Sequence, residues 1–182
     1  RAQMWRNDRL LASYKDGRAH LNAYLDDYAF LIDGGLELLQ ARWRDGDLEF
    51  LIELAETLLD HFEDKTGGGF FFTADDHEKL IHRPKPAADE AIPSGNGVAA
   101  QVLTRLGHLL GATHFLDAAH NALIALWRDI ERYPSMHNSL LTAVEESLHP
   151  TQTIVLRGSN DAMQPWLTRM PTPSSLLLPW IR

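Results

Sequence analysis

The sequence predicts a mainly α fold built from helical hairpins, with short β-hairpin insertions and a small C-terminal β-α-β unit. Three observations carry this. Two long apolar segments, 24–43 and 94–110, carry hydrophobic residues around more than one face, as helices buried on most sides do. Each is followed by a one-sided stripe, 48–62 and 115–130, which marks a helix covering a core from outside. The pairs also share weak internal similarity: Asp47-Leu48 and Ala55-Glu56 sit in the first much as His114-Phe115 and Ala119-His120 sit in the second. Repeated hairpins of this kind stack into arrays.

Taken in order, residues 2–9 read as the tail of a helix. Leu10–Tyr14 and Arg18–Leu21 flank Asp16-Gly17, a strong hairpin-turn signal. Asn22 is a plausible cap for the helix that carries Leu25, Tyr28, Ile32, Leu36 and Leu39. Arg44 to Asp47 reads as a turn before the covering helix of Leu51, Ala55, Leu58 and Phe62. Gly67-Gly68-Gly69 breaks that helix. Phe70–Thr73 and Lys79–Arg83 then read as a second hairpin, and a proline-rich loop leads to Ser94, the cap of the next buried helix. A further helix is expected over about 136–148. Thr153–Leu156, Asp161–Arg169 and Ser175–Leu178 form the expected β-α-β tail. The domain division is therefore 1–150 for the hairpin array and 151–182 for the tail. Either an open superhelix or a closed double ring accommodates the hairpins; insertions between the pairs favour the ring, because simple solenoids have short connections.

Composition narrows function. With 182 residues the chain is long enough for one domain with a real core, and its net charge of −8 argues against nucleic acid or an anionic membrane as a partner. No stretch approaches a bilayer span, no signal peptide is evident, and a cytoplasmic location is expected. Cysteine is absent and the nine histidines are scattered, so neither thiol chemistry nor a metal site is expected. No cofactor motif occurs. The start, Arg1-Ala2-Gln3-Met4-Trp5, looks like the inside of an element, as in a piece of a longer protein.

Four motifs stand in order: Tyr24-Leu25-Asp26-Asp27-Tyr28-Ala29-Phe30; Gly68-Gly69-Phe70-Phe71-Phe72-Thr73; Arg83-Pro84-Lys85 with Asp89; and Pro93-Ser94-Gly95-Asn96. This combination resembles the YyaL and spermatogenesis-associated thioredoxin-domain proteins. The resemblance implies a thioredoxin-like domain joined to an (α/α)6 toroid, similar to the N-acylglucosamine 2-epimerase and six-hairpin glycosidase folds. It places this chain in the later part of the toroid, as a partial toroid without the thioredoxin-like domain or the first hairpins. It transfers a fold more firmly than a reaction.

The residues themselves nominate a site at the openings of the two buried helices. Asp26 and Asp27 point about 100° apart, so at most one faces a lumen while the other meets a loop. Asp26 or Asp27 with Glu90 forms a candidate acid–base pair of the kind glycoside chemistry uses. Each also has a plain role: helix-dipole partners for the first two, a solvated loop charge for Glu90. Tyr28, His82, Arg83, Asp89, Ser94 and Asn96 are candidate ligand-binding residues, although pairing with Asp89 is the simpler role for Arg83. A sugar-like small molecule is the expected ligand, by hydrolysis or epimerisation. The alternative is a non-catalytic module serving a redox domain. An incomplete ring would leave apolar faces open, so self-association is expected.

Overall fold

The computed structural model describes residues 2–78, 80–150, 152–169 and 175–181, the last span by its backbone alone. Among these the chain forms six α-helices, a three-stranded antiparallel sheet and a two-stranded parallel one.

The first sheet joins β1 (Trp5–Arg6), β2 (Arg9–Lys15) and β3 (Arg18–Asn22) in that order. The expected Asp16-Gly17 turn forms, with φ of 51° and 77°, the left-handed pair whose twist suits a two-residue hairpin. Residues 2–9 do not extend a helix, as the sequence had implied. Asn7 and Asp8 take φ of 50° and 57° and turn the chain so that Trp5 pairs with Leu10; these two residue types tolerate that region best among non-glycines.

Four helices follow as two antiparallel pairs: α1 (Leu25–Ala41) with α2 (Asp45–Phe62), and α3 (Gly95–Leu110) with α4 (Thr113–Arg132). The start of α1 is set by Tyr24, not Asn22. Asn22 pairs with Leu11 in the sheet, while the Tyr24 N–H donates to Asp27 Oδ2 at 2.8 Å. The expected turn at 44–47 shrinks, since Gly46 and Asp47 lie inside α2. A 3-10 turn at Pro134–Met136 leads to α5 (Asn138–Leu148). The chain continues with β4 (Gln152–Gly158), α6 (Asn160–Leu167) and β5 (Ser175–Ile181), where β4 and β5 pair in parallel and β5 runs beside α1.

The core lies between the helices and is rich in Leu, Ala and Phe, with Tyr28, Phe62, Phe70 and Phe115 its largest members. The most enclosed helix is α3, buried from Gly95 through Ala100 and again at Val102, Leu103, Thr104 and Leu106. The α1 helix is less enclosed than its sequence implied, because Leu31 and Leu38 are exposed.

Three helices run parallel. Near their starts, Asp26 of α1 lies against Gly95 of α3, and Ser139 of α5 lies against Gly97. About two to three turns further along, Arg105 of α3 meets Asp33 of α1 and Glu146 of α5. Contacts matched at both levels require α1, α3 and α5 to point the same way. Their N-termini thus share one rim, and α2 and α4 run back antiparallel outside them.

The second expected hairpin is absent among the described residues. Phe70 makes one isolated bridge to Glu63, the following residues bend as a loop, and Lys79 lies outside the described residues. The phenylalanines are used singly: Phe70 is fully buried, Phe71 lies under Arg83, and Phe72 stacks on Tyr24 with ring centroids 4.8 Å apart.

Candidate functional site

Residues 63–78 and 80–94 belong to a strap that crosses the rim, and several of its polar groups hold it there. Asp64 accepts from the N–H groups of Thr66 and Gly67 and from Lys85 Nζ, the last at 2.7 Å. The Lys85 bond, with the two N–H donors, holds the Asp64 carboxyl down to about 2. Lys85 also donates to the Gly68 carbonyl at 2.8 Å. Arg83 does not pair with Asp89. Its guanidinium donates to the Thr73 carbonyl at 2.6 Å and lies 4.1 Å above the Phe71 ring.

Asn96, read from the sequence as a ligand-binding residue, is fully buried and locks the strap to α3. Its Oδ1 accepts from Phe70 N–H at 2.8 Å, and its Nδ2 donates to the carbonyls of Phe70 and Pro86. Ser94 stands at the cap position, but its hydroxyl donates to the Pro86 carbonyl and not to the helix. Tyr28 lies sealed in the core, its hydroxyl accepting from Leu10 N–H at 2.8 Å. Neither Asn96 nor Tyr28 presents a surface to a ligand.

Asp89 joins two helix starts. Its carboxylate accepts from Ser94 N–H at 2.8 Å, from Ser139 N–H at 2.9 Å and from the Ser139 hydroxyl. Burial pushes its pKa up, and these bonds outweigh it, so the carboxyl titrates below the usual 3.8. A carboxylate at the positive ends of two helices is stabilised by their dipoles as well.

Asp26 sits at the same rim in the opposite condition. Gly95 has no side chain to keep it away; a Cβ there would overlap Asp26 Oδ1. That oxygen is buried without a hydrogen-bond partner among the described residues. Burial, and then the neighbouring Asp27 charge, raise the Asp26 pKa above 3.8. Asp27 is committed to the start of α1. Of the three carboxylates nominated as catalytic, Glu90 is exposed and makes no side-chain bond with a described residue, and Asp26 is the desolvated one. His82 is exposed as well.

Below the rim a cleft of about 720 Å³ opens between α1, α3 and α5 and the loop at 89–93. Phe30, Ile92, Pro93 and Val98 give it apolar wall; Glu90, Asp33, Gln101 and Thr142 give it polar groups. Asp26, Phe30 and Asp33 follow at i, i+4 and i+7 on α1, one stripe of that helix. The unsatisfied carboxylate therefore stands one turn above Phe30 on the same helix face, and is not itself among the residues that line the cleft. At the lower end Arg105 meets Asp33 at 3.2 Å, Glu37 at 3.8 Å and Glu146. Sequence reasoning missed Phe30, Asp33, Gln101 and Thr142 as lining residues; their common face across three helices has no signature in any one segment.

One mixed cluster was also not legible. His61, Asp75 and Asp76 bring a ligand atom each within 4.8 Å of one another. They are already paired, His61 with Asp75 at 2.7 Å and Asp76 with Arg9 at 2.8 Å. The Arg9 cation beside them opposes a metal ion.

Parallel helices that open on one rim, an acidic cleft beneath it and a strap locked across it define the chain as a helical-hairpin domain with a candidate ligand cleft. No protein-family description matches the chain. It is similar to spermatogenesis-associated protein 20 of Homo sapiens, with 31% identity over 140 residues, or 76% of this chain. The proteins of that name from Rattus norvegicus and Mus musculus match to the same extent. The chain spans 18% of the length of these relatives. Among the described residues no helix is long and apolar enough to cross a membrane.

Proposed function

We propose that this chain is a toroid-type helical domain of a spermatogenesis-associated protein 20-like protein, and that its cleft holds a sugar-like polyhydroxy ligand. The observation that carries this is the division of carboxylates at the rim. Among the described residues, Asp89 and Asp27 are bonded to backbone, while Asp26 keeps a buried oxygen without a partner and Glu90 an exposed carboxylate without a side-chain bond. Unpaired polar groups beside a cleft are where ligand chemistry is expected. The mixed wall suits a sugar, whose carbon face packs on Phe30 and Pro93 while its hydroxyls reach Gln101 and Thr142.

In hydrolysis, Asp26 donates its proton to the departing oxygen and Glu90 takes one from the attacking water. In epimerisation, one carboxylate removes a carbon-bound proton and the other returns one to the opposite face. Both need an acid whose proton persists towards neutral pH, and burial of Asp26 moves it that way. A second reading, a scaffold without chemistry, draws on the consumption of Asn96, Asp89 and Arg83 in structural bonds.

The test is a titration of isotope-labelled protein with mono- and disaccharides, followed by NMR. The cleft reading predicts shifts confined to the faces of α1, α3 and α5 that carry Phe30, Gln101 and Thr142. Shifts nowhere at saturating sugar would leave the scaffold reading standing. Where a sugar binds, loss of turnover in both Asp26→Asn and Glu90→Gln, with binding kept, separates an enzyme from a binding module.

A further inference from the structure

The charge lining the cleft has a consequence for the kind of ligand it takes. Among the described residues three acids line it, Asp33, Asp89 and Glu90, and no Lys, Arg or His does so. Asp89 is neutralised in place by the N–H groups of two helix starts, so it attracts a cation weakly. Glu90 has no such partner among the described residues. Asp33 shares one guanidinium, that of Arg105, with Glu37 and Glu146. Three carboxylates on one cation leave a local excess of two negative charges at the cleft's lower end. The positive charge of Arg105 is held on these acids, with its side chain mostly covered, so it does not offer an anion a free partner.

Apolar wall on the same cleft strengthens this bias, because charges beside low-dielectric surface act on each other more strongly than in water. The chain as a whole, at −8, adds to it and does not oppose it.

Resting on the cleft reading above, we infer that the site selects an amine-bearing, cationic polyhydroxy ligand and rejects carboxylate- or phosphate-bearing ones. The amine lies between Glu90 and Asp33, and the carbon chain lies along Phe30 and Val98.

Three matched linear polyols test the inference: sorbitol, its amine glucamine and its acid gluconate, which differ at one carbon. Affinities are read by NMR titration of the cleft signals at low salt. Glucamine binds about tenfold more tightly than sorbitol and gluconate binds least, a tenfold ratio being about 1.4 kcal/mol. The advantage of glucamine shrinks as salt screens the pair. In Glu90→Gln the advantage of glucamine over sorbitol shrinks, and Glu90→Lys turns the preference towards gluconate; the side chain is exposed, so both variants fold. Equal affinity for sorbitol and glucamine, tighter binding of gluconate, or glucamine shifts spread over the surface would overturn charge selection while leaving a polyol cleft in place. Failure of all three polyols to shift any cleft signal would overturn the cleft itself.

Discussion

Asp89 and Asp26 lie at one rim, each against the start of α3, and differ in almost everything else. Asp89 receives hydrogen bonds from two helix starts and a hydroxyl. Asp26 touches the Gly95 backbone and leaves a buried oxygen unpaired. Their residue type and their place at the start of α3 are alike, so neither decides the role. What separates them is whether the fold completes the carboxylate's hydrogen bonds. A saturated carboxylate is structure. An unsaturated one costs stability, and a fold tolerates that where the group has something else to do.

The contrast extends to the whole strap against the cleft, and it ranks the effects of substitution. The largest loss is expected at Asn96. Asn96→Ala leaves Phe70 N–H and the carbonyls of Phe70 and Pro86 unmet in a buried place. Chemical denaturation should show a loss of about 4 kcal/mol, since each unmet group costs about 1–3 kcal/mol. A loss below about 1 kcal/mol would mean that the strap is not locked at that point.

Next comes Asp89→Ala, at about 2 kcal/mol. Its pH signature has a fixed sign. The folded carboxyl titrates below 3.8, so its contribution is complete above the unfolded value and is lost as pH falls through the folded one. The variant should therefore flatten the acid limb of the wild-type stability curve.

Gly95→Ala is expected to cost about 2 kcal/mol, because the new methyl meets Asp26 where room is absent. Combining it with Asp26→Ala should recover part of that loss. Strictly additive effects in the double-mutant cycle would show that the two residues do not touch.

Lys85→Met removes the partner of Asp64, a pair about one-quarter exposed, and should cost about 1 kcal/mol or less, falling with salt. The smallest change has the opposite sign. Asp26 is more readily protonated folded than unfolded, so stability falls as pH rises from 3.8 through its folded value. Asp26→Asn should then stabilise the protein at neutral pH by about 0.5 kcal/mol, a modest figure because the carboxyl is half-exposed and screened.

Much of the fold was legible because it rests on local pattern. The period of apolar residues marks α1 through α4, and Asp16-Gly17 names its own turn. The helix expected at residues 2–9 and the hairpin expected at 70–83 failed for a shared reason. Short runs do not distinguish helix, strand and anchored loop, and their outcome depends on partners outside the run: Leu10 for Trp5, Asn96 for Phe70. The convergence of the two helix openings was also legible, and Asp26 against Gly95 bears it out. The roles within the rim were not. Asn96, Ser94 and Asp89 carry donors and acceptors that suit a ligand or a backbone equally, and a linear sequence does not show which carbonyls stand nearby. Arg83 was expected to meet Asp89 or an anion and instead meets the Thr73 carbonyl.

The most direct measurement is a side-chain carboxyl titration by NMR that follows Asp26 and Asp89 in one sample. The account predicts Asp26 above 3.8 and Asp89 below it. Coincident midpoints, or the reverse order, would contradict it.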